Sequence, residues 1–99
     1  DAAQVVKEVL DFDETVGRVL DYAQKHGNTL VIITADHETG GLTFPKGNIK
    51  AGTFDAAFTT KGHTGIPVPV FAFGPGADKF GGFIENISIK AKIEKLLRL

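Results

Sequence analysis

The chain has 99 residues with 11 basic and 12 acidic side chains, so its formal net charge is −1. A chain of this length forms one domain at most, and its near-neutral charge gives no electrostatic reason to expect nucleic acid or a membrane as a partner. The absence of cysteine excludes disulfides, thiolate metal sites and cysteine nucleophiles, and no stretch has the length and hydropathy of a transmembrane span.

The first predicted element is a long amphipathic helix that ends near Gly27. Its apolar side chains recur at steps of three and four residues, namely Ala2, Val5, Val6, Val9, Phe12, Val16, Val19, Leu20 and Ala23. Asp13 could instead cap a second helix, but a single helix keeps the nearby acidic side chains on its wet face. We expect His26 to be a helix-end residue whose charge suits the negative end of the helix dipole.

A buried strand is predicted over residues 29–35, and it ends in Asp36 and His37 followed by Gly40 and Gly41. Consecutive strand residues point to opposite faces, so Asp36 and His37 can bind one metal ion only where the strand gives way to a turn. Glycines make such a turn easy. The alternative is that Asp36 caps the next element and His37 is structural, because two ligands do not make a zinc site.

The centre of the chain, residues 43–61, has no sustained period and is predicted to form a loop or a hairpin. Phe54 and Phe58 are expected to close a small apolar cluster there. His63 follows, with Gly62 and Gly65 close by, so the backbone can approach a ligand at this point. A lone histidine in a turn is nevertheless usually structural.

A second strand is predicted over residues 68–73, ending in Gly-Pro-Gly. Pro67 and Pro69 lack a backbone N–H, so the start of this strand is expected to lie at an edge or without a partner on one side. Asn86 is then predicted to cap a closing helix, and one apolar face of this helix is predicted to cover the core. The residues of that face are Ile89, Ile93, Leu96 and Leu97.

The chain contains Thr-Ala-Asp-His-Glu-Thr-Gly-Gly at 34–41, His-Thr-Gly at 63–65 and Pro-Val-Pro-Val-Phe-Ala-Phe-Gly-Pro-Gly-Ala at 67–77. Together these three motifs closely resemble the C-terminal part of bacterial alkaline phosphatases. Thr-Ala-Asp-His alone is shared with relatives such as cofactor-independent phosphoglycerate mutases, so it indicates a superfamily. The His-Thr-Gly element before a strand that ends in Gly-Pro-Gly narrows the resemblance to the phosphatases.

The resemblance implies an α/β fold, in which residues 1–99 are a single C-terminal segment of an alkaline phosphatase catalytic domain. That domain would be a three-layer α/β/α sandwich with a mainly parallel sheet. The implied activity is hydrolysis of phosphate monoesters with two zinc ions and one magnesium ion. Asp36 and His37 would ligate one zinc and His63 the other, while the magnesium ligands would lie mostly outside this segment.

The resemblance places the family's nucleophilic serine and phosphate-binding arginine before residue 1, so no catalytic residue is assigned here and the substrate-binding residues stay unknown. Ser88, the chain's only serine, begins the closing helix, and Arg18 and Arg98 fall on helices. Three ligands divided between two sites are too few to hold zinc, so we expect the segment alone to be inactive. We also expect it to expose apolar faces and self-associate.

Two alternatives remain at this point. The chain could belong to another metal-dependent member of the superfamily, a phosphomutase or sulfatase, although residues 38–41 and 63–65 favour the phosphatases. It could instead be a non-catalytic α/β module that binds a metal or a partner protein, since it lacks a nucleophile. The family resemblance further implies a phosphate monoester as substrate, a homo-oligomer, and export to the periplasm or the exterior.

Overall fold

The computed structural model describes residues 1–99, beginning with one long helix, α1 (Ala2–His26). Asp1 caps this helix, because its side chain accepts a hydrogen bond from the N–H of Ala3 at 3.0 Å. Gly27 ends it in the left-handed conformation, with φ of 67°. The prediction of a single helix is therefore confirmed. His26 is a helix-end residue, whose Nδ1 lies 2.8 Å from the carbonyl of Tyr22.

Four short strands, one 3₁₀ turn and one further helix follow α1. In chain order they are β1 (Val31–Ile33), β2 (Thr43–Asn48), β3 (Thr53–Ala57), β4 (Phe71–Phe73), the 3₁₀ turn (Ala77–Phe80) and α2 (Ser88–Leu97). The strands form two separate pairs, β1 with β4 and β2 with β3.

Strands β1 and β4 run antiparallel, with Val31 opposite Phe73. Both are shorter than the predicted ranges 29–35 and 68–73. Strand β4 starts late because Pro67 and Pro69 cannot donate to a ladder, as the sequence indicates. Beyond β1 the ladder is replaced by a side-chain bond, in which the hydroxyl of Thr34 donates to the carbonyl of Pro69 at 3.1 Å.

A mainly parallel sheet is not confirmed, because both sheets of this chain are two-stranded and antiparallel. The family resemblance implies the parallel sheet, and the continuous apolar run of the first strand agrees with it, because such runs are typical of strands buried on both faces. Such a run indicates how a strand is covered and does not determine the direction of its neighbour. Only the hydrogen-bonded partner decides the direction, and here that partner is β4.

The centre of the chain forms the hairpin β2–β3, one of the two structures predicted for it. Lys46 lies opposite Asp55, and the register shifts between Thr43 and Lys46, next to Pro45. The ring of Phe54 packs edge-on against Phe44, with centroids 5.4 Å apart. All six residues of β2 are exposed, so this hairpin contributes little to a core.

The start of the last helix differs from the sequence prediction. Asn86 does not cap α2, since the helix begins at Ser88 and the preceding Ile87 makes no side-chain capping bond. The chain enters the helix through a tight turn instead, in which the N–H of Ile89 donates to the carbonyl of Asn86 at 3.2 Å.

Very little of this chain is buried. Four of its 99 residues are buried, and the apolar ones are Ala23, Val31 and Phe80. The accessible surface is 8022 Å², whereas a folded monomer of this mass exposes about 5,500 Å². The radius of gyration of 16.5 Å likewise exceeds the value of about 13 Å for a compact 100-residue domain.

Neither α1 nor α2 combines the length and the hydropathy that a membrane-spanning helix needs.

Candidate metal site

The candidate site begins where β1 ends at Ile33, three residues before Asp36. The chain then turns through Gly40 and Gly41, whose φ angles are 60° and 62°. Both angles lie in the left-handed region that glycine adopts without a steric penalty. Asp36 and His37 lie between the end of the strand and this turn, and so off the strand, as the prediction requires.

The segment after the hairpin returns to this turn through main-chain hydrogen bonds. The carbonyl of Gly40 accepts from the N–H groups of Thr59 at 2.9 Å and Thr60 at 3.2 Å. The two ends of the hairpin therefore meet at Gly40, which is itself buried. This closure brings His63, a few residues further on, to the side of the turn.

The three predicted site residues come together at this place. The rings of His37 and His63 lie with their centroids 3.6 Å apart and their planes at 36°. Oδ2 of Asp36 lies 3.4 Å from Nε2 of His37. No set of three or more histidine, aspartate or glutamate side chains surrounds a common point in metal-binding geometry. The role of these residues as metal ligands stays a prediction.

The tautomer of His37 follows from its hydrogen bond. Its Nδ1 lies 2.7 Å from the carbonyl oxygen of Glu38, and a carbonyl can only accept, so Nδ1 carries a proton. In the neutral ring Nε2 then presents a lone pair, and it faces the carboxylate of Asp36. Two acceptors placed this way are satisfied by a proton or by a metal cation between them, and metal-binding histidines commonly donate their other N–H to a carbonyl in this manner.

Glu38 is a residue of the site that the sequence motifs did not single out, since it lies within the motif at 34–41 without being one of the predicted ligands. Its Oε1 accepts from the N–H of Gly41, and its Oε2 accepts from the N–H of Thr64 at 2.7 Å. The side chain of Thr64 lowers the pKa of the Glu38 carboxyl, as do the N–H groups of Thr64, Gly41 and Leu42, and desolvation partly opposes them. Gly40 and Gly41 indicate a turn from the sequence, and such a turn favours the bond from Gly41 to Glu38. Nothing in the sequence indicates the bond to Glu38 from Thr64, which lies 26 residues away.

Two open clefts flank the histidine pair. One has a volume of about 290 Å³ and is lined by Asp36, His37 and Thr64 among others. The other has a volume of about 380 Å³ and is lined by His37, Lys61 and His63 among others. His37 borders both clefts, so a ligand in either could reach its ring.

The chain is an α/β protein in which one aspartate and two histidines, Asp36, His37 and His63, lie together beyond the end of strand β1. The family model described as alkaline phosphatase matches residues 1–57. This chain belongs to the alkaline phosphatase family. The family resemblance of the sequence motifs is thereby confirmed.

Two characterised relatives show how much of the family's length this chain represents. It is 36% identical over 109 residues to streptomycin-6-phosphate phosphatase of Streptomyces griseus, covering 93% of this chain and 24% of that protein. It is 31% identical over 100 residues to alkaline phosphatase of Escherichia coli K12, covering 85% of this chain and 21% of that protein. The chain thus spans less than a third of the length of either relative.

Solved structures give the same family and confirm the α/β class. The alkaline phosphatase of the Antarctic bacterium TAB5 superposes with a TM-score of 0.89 and 42% identity, covering 99% of this chain and 30% of that chain. A variant of the same protein superposes with a TM-score of 0.86, and it has magnesium bound in its M3 site. A metal is therefore present in a protein closely similar to this one.

The turn at Gly41 yields a stability prediction with a matched control. Gly41 and Gly52 have the same φ of 62°, but a Cβ atom on Gly41 would overlap the hydroxyl of Thr59, whereas nothing lies within 4 Å of one on Gly52. Replacing either glycine with alanine in the full-length protein should cost about 1–2 kcal/mol for the left-handed backbone. Gly41→Ala should cost about 1–3 kcal/mol more, because Thr59 must move.

Thermal unfolding midpoints of the two variants test this prediction. The midpoint of Gly41→Ala should be clearly the lower of the two. Equal midpoints for Gly41→Ala and Gly52→Ala would show that the packing of the turn against Thr59 does not contribute.

Proposed function

We propose that this chain is the C-terminal segment of an enzyme that hydrolyses phosphate monoesters with two zinc ions and one magnesium ion. The observation that carries the proposal is the pairing of His37 and His63 at 3.6 Å, beside Asp36, in a member of the alkaline phosphatase family. These residues are 26 positions apart in sequence and meet because the hairpin closes at Gly40. Imidazole and carboxylate are the ligand types that zinc takes at neutral pH.

Asp36 and His37 would hold one zinc, and His63 would hold the other. The fixed tautomer of His37 and the adjacent Asp36 carboxylate fit a cation at the first position. When bound, such metals supply positive charge that polarises a phosphoryl oxygen and stabilises the charge of the transition state. The magnesium ligands would come mostly from the rest of the protein.

This chain offers no nucleophile or phosphate-binding arginine near the site. The hydroxyl of Ser88 donates to the carbonyl of Glu85 at 2.7 Å at the start of α2, and Arg18 pairs with Glu14 at 2.5 Å on the exposed face of α1. We therefore assign no catalytic residue to the segment. The nucleophilic serine would come from the rest of the protein, and the segment by itself would be inactive.

We infer that residues 1–99 belong to a longer polypeptide, called the complete protein below, because the chain covers 24% of one relative and 30% of a solved one. Residues 1–99 would be one part of its catalytic domain, and the β1–β4 pair would lie within a larger, mainly parallel sheet between two helical layers. The uncovered apolar surface of this chain supports a larger domain around it. Family membership further suggests a homo-oligomer that is exported to the periplasm or the exterior.

The direct test is hydrolysis of p-nitrophenyl phosphate by the complete protein. We expect turnover that is lost after treatment with a chelator and restored by zinc and magnesium. The 99-residue segment alone should be no faster than its own His37→Ala variant under the same conditions. Turnover unaffected by chelation would contradict the metal assignment, and a preference for p-nitrophenyl sulfate or a phosphomutase activity would favour the other superfamily members.

A further inference from the structure

We infer that Glu38 is a positioning residue that joins the two halves of the proposed metal site. The inference rests on the proposed function, because it concerns how Asp36, His37 and His63 are held for their metals. It adds a residue that makes no metal bond itself. The carboxylate acts on the site through the main chain on either side.

Each oxygen of the Glu38 carboxylate serves a different part of the site. Oε1 accepts from the N–H of Gly41, within the turn that carries Asp36 and His37. Oε2 accepts from the N–H of Thr64 at 2.7 Å, in the segment that carries His63. Glu38 directly follows His37, and Thr64 directly follows His63. One carboxylate thus links the immediate neighbours of both histidines.

The other main-chain link between the two segments lies further from the metal ligands. It joins the carbonyl of Gly40 to the N–H groups of Thr59 and Thr60. Lys61 and Gly62 then separate this link from His63, and both are exposed. On the other side of His63, the next bond to the β1 segment is the one from the Thr34 hydroxyl to the carbonyl of Pro69. The bond to Thr64 is therefore the nearer restraint on the spacing of the two imidazoles.

The chemistry of the link favours a carboxylate at this position. The N–H groups of Gly41 and Thr64 each bind a different oxygen of the carboxylate, the side chain of Thr64 also favours its charged form, and hydrogen bonds to an ionised acceptor are stronger than neutral ones. A glutamine keeps one acceptor oxygen and places an NH₂ group against the other donor. An aspartate keeps the charge but is one methylene shorter. These differences make a graded series of variants informative.

The experiment uses the complete protein with Glu38→Ala, Glu38→Gln and Glu38→Asp. Glu85→Gln is the matched control, since the Glu85 side chain is exposed and makes no hydrogen bond or ion pair. The first measurement is hydrogen–deuterium exchange of residues 60–66 in the metal-free protein. The second is zinc affinity, measured by competition with a chelator of known affinity.

We expect Glu38→Ala to speed exchange in residues 60–66 by about tenfold or more, because Thr64 loses a charged acceptor. Zinc affinity should fall by about 10- to 100-fold, the usual effect of removing a group that orients metal ligands. Glu38→Gln should lie between wild type and Glu38→Ala in both measurements, and Glu85→Gln should match wild type. If the alanine variant does not fold, the comparison of Glu38→Gln with wild type serves as the test, because glutamine preserves the size of the side chain.

The two measurements separate failure of this inference from failure of the proposed function. Unchanged exchange in Glu38→Ala would overturn the link whatever metal is bound. Faster exchange with unchanged zinc affinity would overturn the positioning role while leaving the zinc proposal intact. If the wild-type protein binds no zinc and does not hydrolyse p-nitrophenyl phosphate, the proposed function fails, and with it the positioning role. The exchange data would still report whether Glu38 holds the two segments together.

Discussion

Replacing His63 with alanine in the complete protein is expected to lower kcat/KM for p-nitrophenyl phosphate by about a thousandfold. The site proposed here depends on charge supplied at the phosphoryl group by metals that the imidazoles hold. Loss of one ligand from a site with few ligands should release its metal, and several kcal/mol of transition-state stabilisation correspond to about three orders of magnitude in rate. The measurement is steady-state kinetics together with zinc content of the purified variants.

The chain contains its own control for this prediction. His26 is the third histidine of the sequence, and its ring stacks on Tyr22 at the end of α1 with centroids 3.9 Å apart. His26→Ala should therefore leave kcat/KM and zinc content unchanged. His37→Ala should resemble His63→Ala, and the double variant should lose little more than either single one, because groups that act as a unit are not additive. Equal activity of His63→Ala and His26→Ala would contradict the site.

The 99-residue chain studied alone is expected to self-associate. Its accessible surface of 8022 Å² exceeds that of a folded monomer of the same mass by about 2,500 Å². Large apolar side chains are exposed on several elements, including Phe12 on α1, Phe71 on β4 and Leu97 on α2. Association would cover such side chains, and burying apolar area is favourable by about 25 cal/mol per Å².

Light scattering during size-exclusion chromatography tests this prediction over a range of concentrations. The mass should rise with concentration well above the 10.6 kDa of the chain. The complete protein is the comparison, and it should elute at one discrete mass, because the rest of the polypeptide covers these faces. A monodisperse 10.6 kDa species at high concentration would contradict the prediction and would show that the segment covers its apolar side chains by itself.

Several features of the fold could be predicted because they depend on neighbours in the chain. The periodic apolar positions and Gly27 predicted α1 as one helix, and Pro67 and Pro69 predicted that the start of the second strand would lie at an edge or lack a partner on one side. The glycines at 40 and 41 predicted the turn that takes Asp36 and His37 off β1. The interpretation of Asn86 as a cap was wrong, since a capping residue type does not specify which of several nearby positions the helix starts from.

What the sequence by itself determined about this protein is its family and its set of candidate ligands. The motifs at 34–41 and 63–65 predicted the alkaline phosphatase family, which the family model and the relatives confirm, and they supplied Asp36, His37 and His63 as candidate ligands, which stay a prediction. Local rules were sufficient for this, because turns, strand ends and short motifs are properties of adjacent residues.

The tertiary structure alone decided the antiparallel direction of β1 and β4, the 3.6 Å approach of His37 to His63 and the hydrogen bond from Thr64 to Glu38. Each of these depends on a contact between residues distant in sequence, such as the bond from Thr64 to Glu38. A carboxylate can accept from many donors, and the sequence does not say which donor the fold brings within reach. The closure of the hairpin at Gly40 brings Thr64 within reach of Glu38, and this closure forms only when the chain folds.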